Sequence, residues 1–123
     1  MQIARTPIIE RTEEIERCIA DCVDCAGVCT ETVDYCLETG GRHVRPEHVR
    51  LMLDCGEICQ ISASYMLRES TFSTDLCGLC AEVCDRCAKS CAGFTDDPKM
   101  KTCADVCRRC AVSCRHMARM PVR

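Results

Sequence analysis

The sequence has no tryptophan, and its two tyrosines and two phenylalanines bring the aromatic share to only 3% of 123 residues. A surface that stacks nucleobases on rings set among basic side chains has nothing to build on here. Charge is mixed rather than one-sided: 16 Lys and Arg stand against 19 Asp and Glu, a net −3. No basic stripe is available to grip a phosphate backbone, so nucleic acid is not an expected partner. No apolar run approaches the roughly 18 residues of a membrane span. The opening Met1-Gln2-Ile3-Ala4-Arg5-Thr6-Pro7 lacks the apolar stretch of a secretory signal, which predicts a cytoplasmic protein. Sustained period-two alternation rich in β-branched residues is missing, which removes the case for strands. No Ser-His-Asp arrangement, phosphate loop or zinc-hydrolase helix motif is visible, so an enzyme is not expected.

What the chain has in excess is cysteine, 16 residues or about 13% of the total. Without them the apolar fraction falls from 47% to about 34%. That is thin for one domain of this size, which must bury around two-thirds of its surface on folding. Either the cysteines form part of the core or something bound to them does. In a cytoplasmic chain, such a count shifts the odds from disulfides towards metal or redox chemistry.

Glycine and proline are rare, and they fall where helices begin and end. Thr12-Glu13-Glu14 starts a helix with acid in its first turn, and Gly40-Gly41 stops it. Pro46 suits the first position of a second helix. Ser70-Thr71-Phe72-Ser73 offers a cap for a third, which ends before Gly93. Asp96-Asp97-Pro98 supplies an acidic cap and a first-turn proline for a fourth. The expected helices are 12–39, 46–69, 71–92 and 98–119. Short links between them predict an all-α fold, an antiparallel up-down-up-down four-helix bundle forming a single domain over 1–123.

Cysteine spacing is the strongest pattern in the chain. Helix 1 carries Cys18, Cys22, Cys25, Cys29 and Cys36. Helix 2 carries Cys55 and Cys59. Helix 3 carries Cys77, Cys80, Cys84, Cys87 and Cys91, and helix 4 carries Cys103, Cys107, Cys110 and Cys114. Alternating steps of three and four form the inward seam of a bundle. Helix 2 extends that seam as His48, Met52, Cys55, Cys59, Ser62, Met66. Ile15 and Thr32 complete it in helix 1, and Met100 and Met117 in helix 4. Leucine, isoleucine and valine are displaced to flanking positions: Ile19, Val23, Val33, Leu37, Leu51, Ile58, Ile61, Leu76, Leu79, Val83, Val106 and Val112. There they complete core edges or meet another subunit. Cysteine as a plain small hydrophobe explains one such position well. It does not explain a whole seam, where thiols fill less volume than leucine and add an oxidation liability.

Thiolates are soft ligands that suit Cu(I), zinc and iron–sulfur clusters. Neighbours three or four apart on a helix are about 5–6 Å apart at Cβ, close enough to bridge one ion of low coordination number. Zinc prefers closed groups of four, and a continuous ladder gives no reason to stop at four. Roughly one monovalent ion per thiolate leaves the filled core almost neutral, which limits the burial penalty. This reading favours many Cu(I) ions, about one per Cys, with all 16 cysteines as ligands. The iron–sulfur alternative is weak, because Cys77-x2-Cys80-x3-Cys84 lies on a helix and lacks the loop-borne C-x2-C-x2-C run. Discrete zinc sites, a thiol redox sensor and a disulfide-stapled scaffold stay open as alternatives.

Four stretches carry a resemblance to a known family. They are Cys18-x3-Cys22-x2-Cys25-x3-Cys29, Cys55-Gly56-Glu57-Ile58-Cys59, Cys77-Gly78-Leu79-Cys80-Ala81-Glu82-Val83-Cys84-Asp85-Arg86-Cys87-x3-Cys91 and Cys103-x3-Cys107-x2-Cys110-x3-Cys114. Over roughly residues 12–118 the chain resembles the bacterial copper storage proteins, cysteine-lined four-helix bundles. The resemblance implies storage of many Cu(I) ions in each bundle and a homotetramer of bundles. It favours the cytosolic branch, since exported members carry a twin-arginine signal. A copper chaperone or a client cuproenzyme is the implied partner. Cytosolic members tend to have cysteine where this chain has Thr32 and His48, which implies a somewhat lower capacity. In an up-down-up-down bundle, His48, Met52 and Met100 gather at one end with His43 in the adjoining loop. Imidazole and thioether bind Cu(I) more weakly than thiolate and suit transient capture, so that end is the expected mouth for metal.

Overall fold

The computed structural model describes residues 11–121, so the Met1–Pro7 segment read above lies outside the described residues. Four helices follow one another: α1 (Glu13–Thr39), α2 (Pro46–Leu67), α3 (Ser73–Ala92) and α4 (Pro98–Ala118). One 3-10 turn, Gly41–Val44, links α1 to α2. Among the described residues there is no strand, and no helix is long and apolar enough to cross a membrane.

Local chemistry sets most of these ends. The Thr12 hydroxyl accepts from the Ile15 N–H at 3.3 Å, and Glu13, Glu14 and Glu16 lie in the first turn where the helix dipole favours negative charge. Gly40 and Gly41 close α1 at φ +73° and +60°, values that a Cβ strains. One Asp97 oxygen accepts from the N–H groups of Lys99 and Met100 at 3.0 and 3.3 Å, with Pro98 just inside the helix. The α2–α3 turn departs from expectation. α2 ends at Leu67 rather than 69 because Ser70 N–H bonds back to Tyr65 C=O at 2.9 Å and Glu69 N–H to Met66 C=O at 3.1 Å. Glu69 takes φ +52°, the left-handed residue of a Schellman ending. α3 starts at Ser73 rather than 71 and has no side-chain cap, since Phe72 occupies the capping position. The expected cap Ser70 instead accepts from the Phe72 N–H at 3.1 Å and holds the turn itself.

Each helix packs its backbone on its two neighbours in the ring α1–α2–α3–α4, and the diagonal α2 and α4 meet only through core sulfurs, as at Cys59 and Cys110, 3.7 Å apart. The core is a column of sulfur: all 16 cysteines are at most 1% exposed. Beside it runs a stripe of small residues. Ala26, Ala81, Ala88, Ala104 and Ala111 each follow a cysteine and are nearly fully buried. At Gly56 an added Cβ would stand 3.6 Å from Cys29 Cβ, and at Gly78 the same distance from Ala118 Cβ. The helices therefore approach closely along α1–α2 and α3–α4. Of the flanking apolar residues, Ile19 is buried, while Val33, Ile58, Val83 and Val106 lean on the core from its edge. Outside, Arg109 pairs with Asp24 at 2.6 Å and Asp21 at 3.4 Å, Ser113 donates to Asp21, and Arg115 pairs with Asp85. Such exposed pairs contribute about 0–1 kcal/mol each; their geometry holds α4 in register against α1 and α3.

Because the alanine stripe sets the helix spacing, Ala104→Leu should overpack it and destabilise the bundle by about 1–3 kcal/mol. Urea unfolding of the reduced protein measures this, and an unshifted midpoint would show slack along the stripe.

Candidate metal centre

The seam buries every predicted cysteine in one core column, and over most of its length the sulfurs meet in overlapping groups. At one end, Cys18, Cys77 and Cys114 form a group whose sulfurs all lie within 4.8 Å of one another. The next levels join Cys22 to Cys114 and Cys110 at 3.5 and 3.7 Å, and Cys59 to Cys80, Cys84 and Cys110 at 3.6–3.7 Å. The centre joins Cys55 to Cys84 at 3.6 Å and to Cys25 at 3.7 Å, with Cys107 3.6 Å from Cys29. Beyond it Cys87, Cys91 and Cys103 continue the column, all fully buried. Cys36 closes the far end. Its sulfur lies 3.7 Å from Met100 Sδ and 3.7 Å from His48 Nε2. All 16 thiols are free.

These spacings arise from the sequence steps and the narrow bundle together. A step of four on one helix places Cys25 and Cys29 at 3.9 Å, as it does Cys110 and Cys114. Contacts between helices are equally short, so a sulfur has partners along its own helix and across the core. The groups overlap: Cys25 and Cys55 belong to two sets of four, as do Cys59, Cys80, Cys84 and Cys110.

Protons and metal ions compete for these sulfurs. Burial pushes the Cys36 thiol up to about 11, helped by Cys103 and Asp97. Contacts with Cys103 and Cys87, and burial, raise Cys91. In the middle, Cys107 is raised first by its bond to Cys103, and Cys59 by its bond to Cys110. Cys25 is held down by the S–H of Cys107, which stabilises a thiolate there. A thiolate at Cys25 thus makes its partner Cys107 harder to ionise.

The predicted mouth residues divide into two shells. His48 is 4% exposed and Met52 and Met100 are fully buried. Burial holds the His48 imidazole below its ordinary range, so it is neutral at pH 7. In the tautomer that donates Nδ1–H to Ser90 Oγ at 2.6 Å, the Nε2 lone pair faces Cys36. His43 sits one layer out. Its Nε2 is 2.9 Å from Asp97, not on a sulfur, and its ring lies 4.3 Å from Phe94. Phe94 in turn packs 4.9 Å from the His48 ring and is 8% exposed. Tyr35 donates to the same Asp97 oxygen at 2.7 Å. The sequence reading missed this Phe94–Asp97–Tyr35 cap. Only the capping role of Asp97 is visible in sequence, because Tyr35 comes from α1 and His43 from the 3-10 turn.

A ladder of buried, free, mutually touching thiols on four helices is the signature of a soft-metal store, and residues 11–119 match the copper storage protein family, to which this chain belongs. The Nmul_A1745 protein from Nitrosospira multiformis is 46% identical, with a TM-score of 0.81 over 86% of this chain and 95% of that one. The Cu(I)-bound copper storage protein BsCsp3, from Bacillus subtilis, is 35% identical, with a TM-score of 0.79 over 86% of this chain and 99% of that one. A cytosolic copper storage protein from Streptomyces lividans, studied in copper loading with five coppers, is 27% identical, with a TM-score of 0.77 over 89% and 95%.

The raised thiols tie stability to pH. A group whose folded pKa lies above its unfolded value stabilises the fold below the unfolded value and loses that contribution as pH rises through the folded one. For Cys36 the window runs from 9.0 to about 11. Metal-free protein should therefore weaken progressively across this window in urea unfolding, while Cu(I)-loaded protein, with no thiol protons left to lose, should not. Equal pH responses of the two forms would show that the core thiols do not control stability.

Proposed function

We propose that this chain stores Cu(I), with all 16 cysteines acting as thiolate ligands and many of them bridging two ions. The overlap of the thiol groups carries this reading. Zn–S bonds of about 2.3 Å put the sulfurs of a tetrahedral site about 3.8 Å apart, so distance alone fits zinc as well as copper. Closed tetrahedra need thiols of their own, however, and here the same cysteines serve several groups. Bridging thiolates with a d¹⁰ monovalent ion use such a ladder fully, and one charge per thiolate leaves a near-neutral core. Each ion bound displaces a proton, since the thiolate is the ligand.

The role is storage without turnover, in the cytoplasm. It is supported by the family, by the cytosolic Streptomyces lividans relative and by the near-complete burial of all 16 thiols. Assembly as a homotetramer is supported by the exposed Val23, Leu37, Ile61, Leu79 and Val112, which offer apolar surface to other copies. A copper chaperone as donor and a cuproenzyme as recipient complete the proposed path.

His48, Met52 and Met100 form the mouth, passing ions to Cys36, and His43 orders the cap above them through Phe94. Neutral imidazole and thioether bind Cu(I) less tightly than thiolate and therefore release it inward.

Anaerobic titration of reduced protein with Cu(I) against a competing chelator, with Zn(II) in parallel, tests the storage reading. Uptake approaching one Cu(I) per cysteine with far less zinc is the expected result. Saturation at about one ion per four cysteines, or preference for Zn(II), would overturn it. For the mouth, His48→Ala with Met52→Leu and Met100→Leu should slow loading and chelator removal while leaving capacity nearly unchanged; unaltered rates would remove the mouth from this end.

A further inference from the structure

The opposite end of the bundle has a sulfur path of its own. Met66, near the end of α2, puts its Sδ 3.8 Å from the Sγ of Cys77. Cys77 belongs to the terminal group with Cys18 and Cys114. Outside Met66 lies a cavity of about 70 Å³, lined by Ile15, Met66, Ser73, Met117 and Met120 among others. Methionine exposure rises along this line: Met66 is 2% exposed, Met117 8%, and Met120 is half-buried. Three of the six methionines in the chain therefore lead from solvent to the last thiol group.

A methionine at a bundle end is ordinarily a flexible filler. Two further observations point to a ligand. Ser73, 5% exposed, lines the cavity, and its hydroxyl has no hydrogen-bond partner. Ser62, fully buried one turn before Met66 on the seam, has none either. Leaving a buried hydroxyl unpaired is unfavourable by about 1–3 kcal/mol. A thiolate formed at this end accepts hydrogen bonds, and so does water on an ion in transit. Both hydroxyls thus become useful once metal and thiolate replace the thiol. The cavity is also larger than the roughly 30 Å³ share of one water.

We propose that this end is a second soft-metal port, in which Met66 and Cys77 jointly bind a monovalent d¹⁰ ion, Cu(I) or Ag(I), and Met117 and Met120 form its approach. This rests on the storage reading above. When Cu(I) leaves a soluble carrier for the site, the carrier ligand departs, the Cys77 S–H bond breaks, its proton goes to solvent, and copper stays Cu(I). Bridging to Cys18 and Cys114 then passes the ion inward.

The full reduced chain, labelled with ¹³C at the methionine methyl groups, tests this under anaerobic addition of Cu(I) in substoichiometric steps. Met66→Leu and Met117→Leu single variants assign the two resonances, and leucine keeps the packing volume. The Met66 and Met117 methyl signals are expected to shift before loading is complete. Chelator removal from the double variant is expected to slow several-fold. Copper uptake with both methyl signals unmoved to saturation would overturn this port and leave storage intact, and so would an unchanged removal rate in the double variant. No Cu(I) uptake at all would overturn the storage reading and the port with it. The methyl measurement uses the unsubstituted protein, so a variant that fails to fold does not spare the proposal.

Discussion

A buried sulfur stays neutral only while it holds a proton or a metal ion, and every other feature of this bundle follows from that condition. Sixteen such sulfurs stand where leucine and valine normally sit. Protonated, they pack as weakly polar small groups and the chain folds around them. Ionised without metal, they would place many like charges in one narrow column, a cost that hydrogen bonds between thiols offset only in part. The Cys36 thiol, pushed up first by burial, is a local expression of this constraint. Metal binding and proton loss are therefore one event. The ions take over the role that the protons play in the empty fold.

The small residues beside the thiols serve the same condition from outside. Alanine at 26, 81, 88, 104 and 111 and glycine at 56 and 78 let helix backbones close up until sulfurs on different helices meet. Larger neighbours would widen the bundle, separate the thiols and leave voids that cysteine is too short to fill. Stability thus comes from close backbone approach and caps as much as from apolar bulk, which suits a chain so poor in aromatic residues.

Much of this is legible in sequence because cysteine is both the ligand and the periodic marker. Steps of three and four place Cys77 through Cys91 on one inward face, and the same steps predict the buried positions of Met52, Met66 and Met100. Gly40-Gly41 and Asp97-Pro98 act through local backbone chemistry, so the ends they set were readable too. The α2–α3 turn was not, because a glutamate there occupies a left-handed conformation that residue type does not announce, and because Ser70 bonds within the turn rather than to the helix. Nor was the cap over His48, since Tyr35, His43, Phe94 and Asp97 meet only when three separate segments are in place. His43 was readable as a neighbour of the metal path, but not as a residue whose ring nitrogen is engaged by a carboxylate. The role of alanine is not legible either, because alanine is common on any helix face and becomes a spacer only where a neighbouring helix packs against it.

The close helix pairs have a further consequence. With α1 close against α2 and α3 close against α4 along alanine and glycine, the long sulfur column favours exchange through its ends, so ions inside it form a queue. An ion at Cys55 or Cys84, in the middle of the column, has more occupied neighbours between it and either end than one at Cys18 or Cys36. Residence time then depends on position: ions near the ends turn over with the surroundings, while those at the centre are held as a reserve. The bundle is in effect two stores in series, a quick one and a slow one, made from a single kind of ligand.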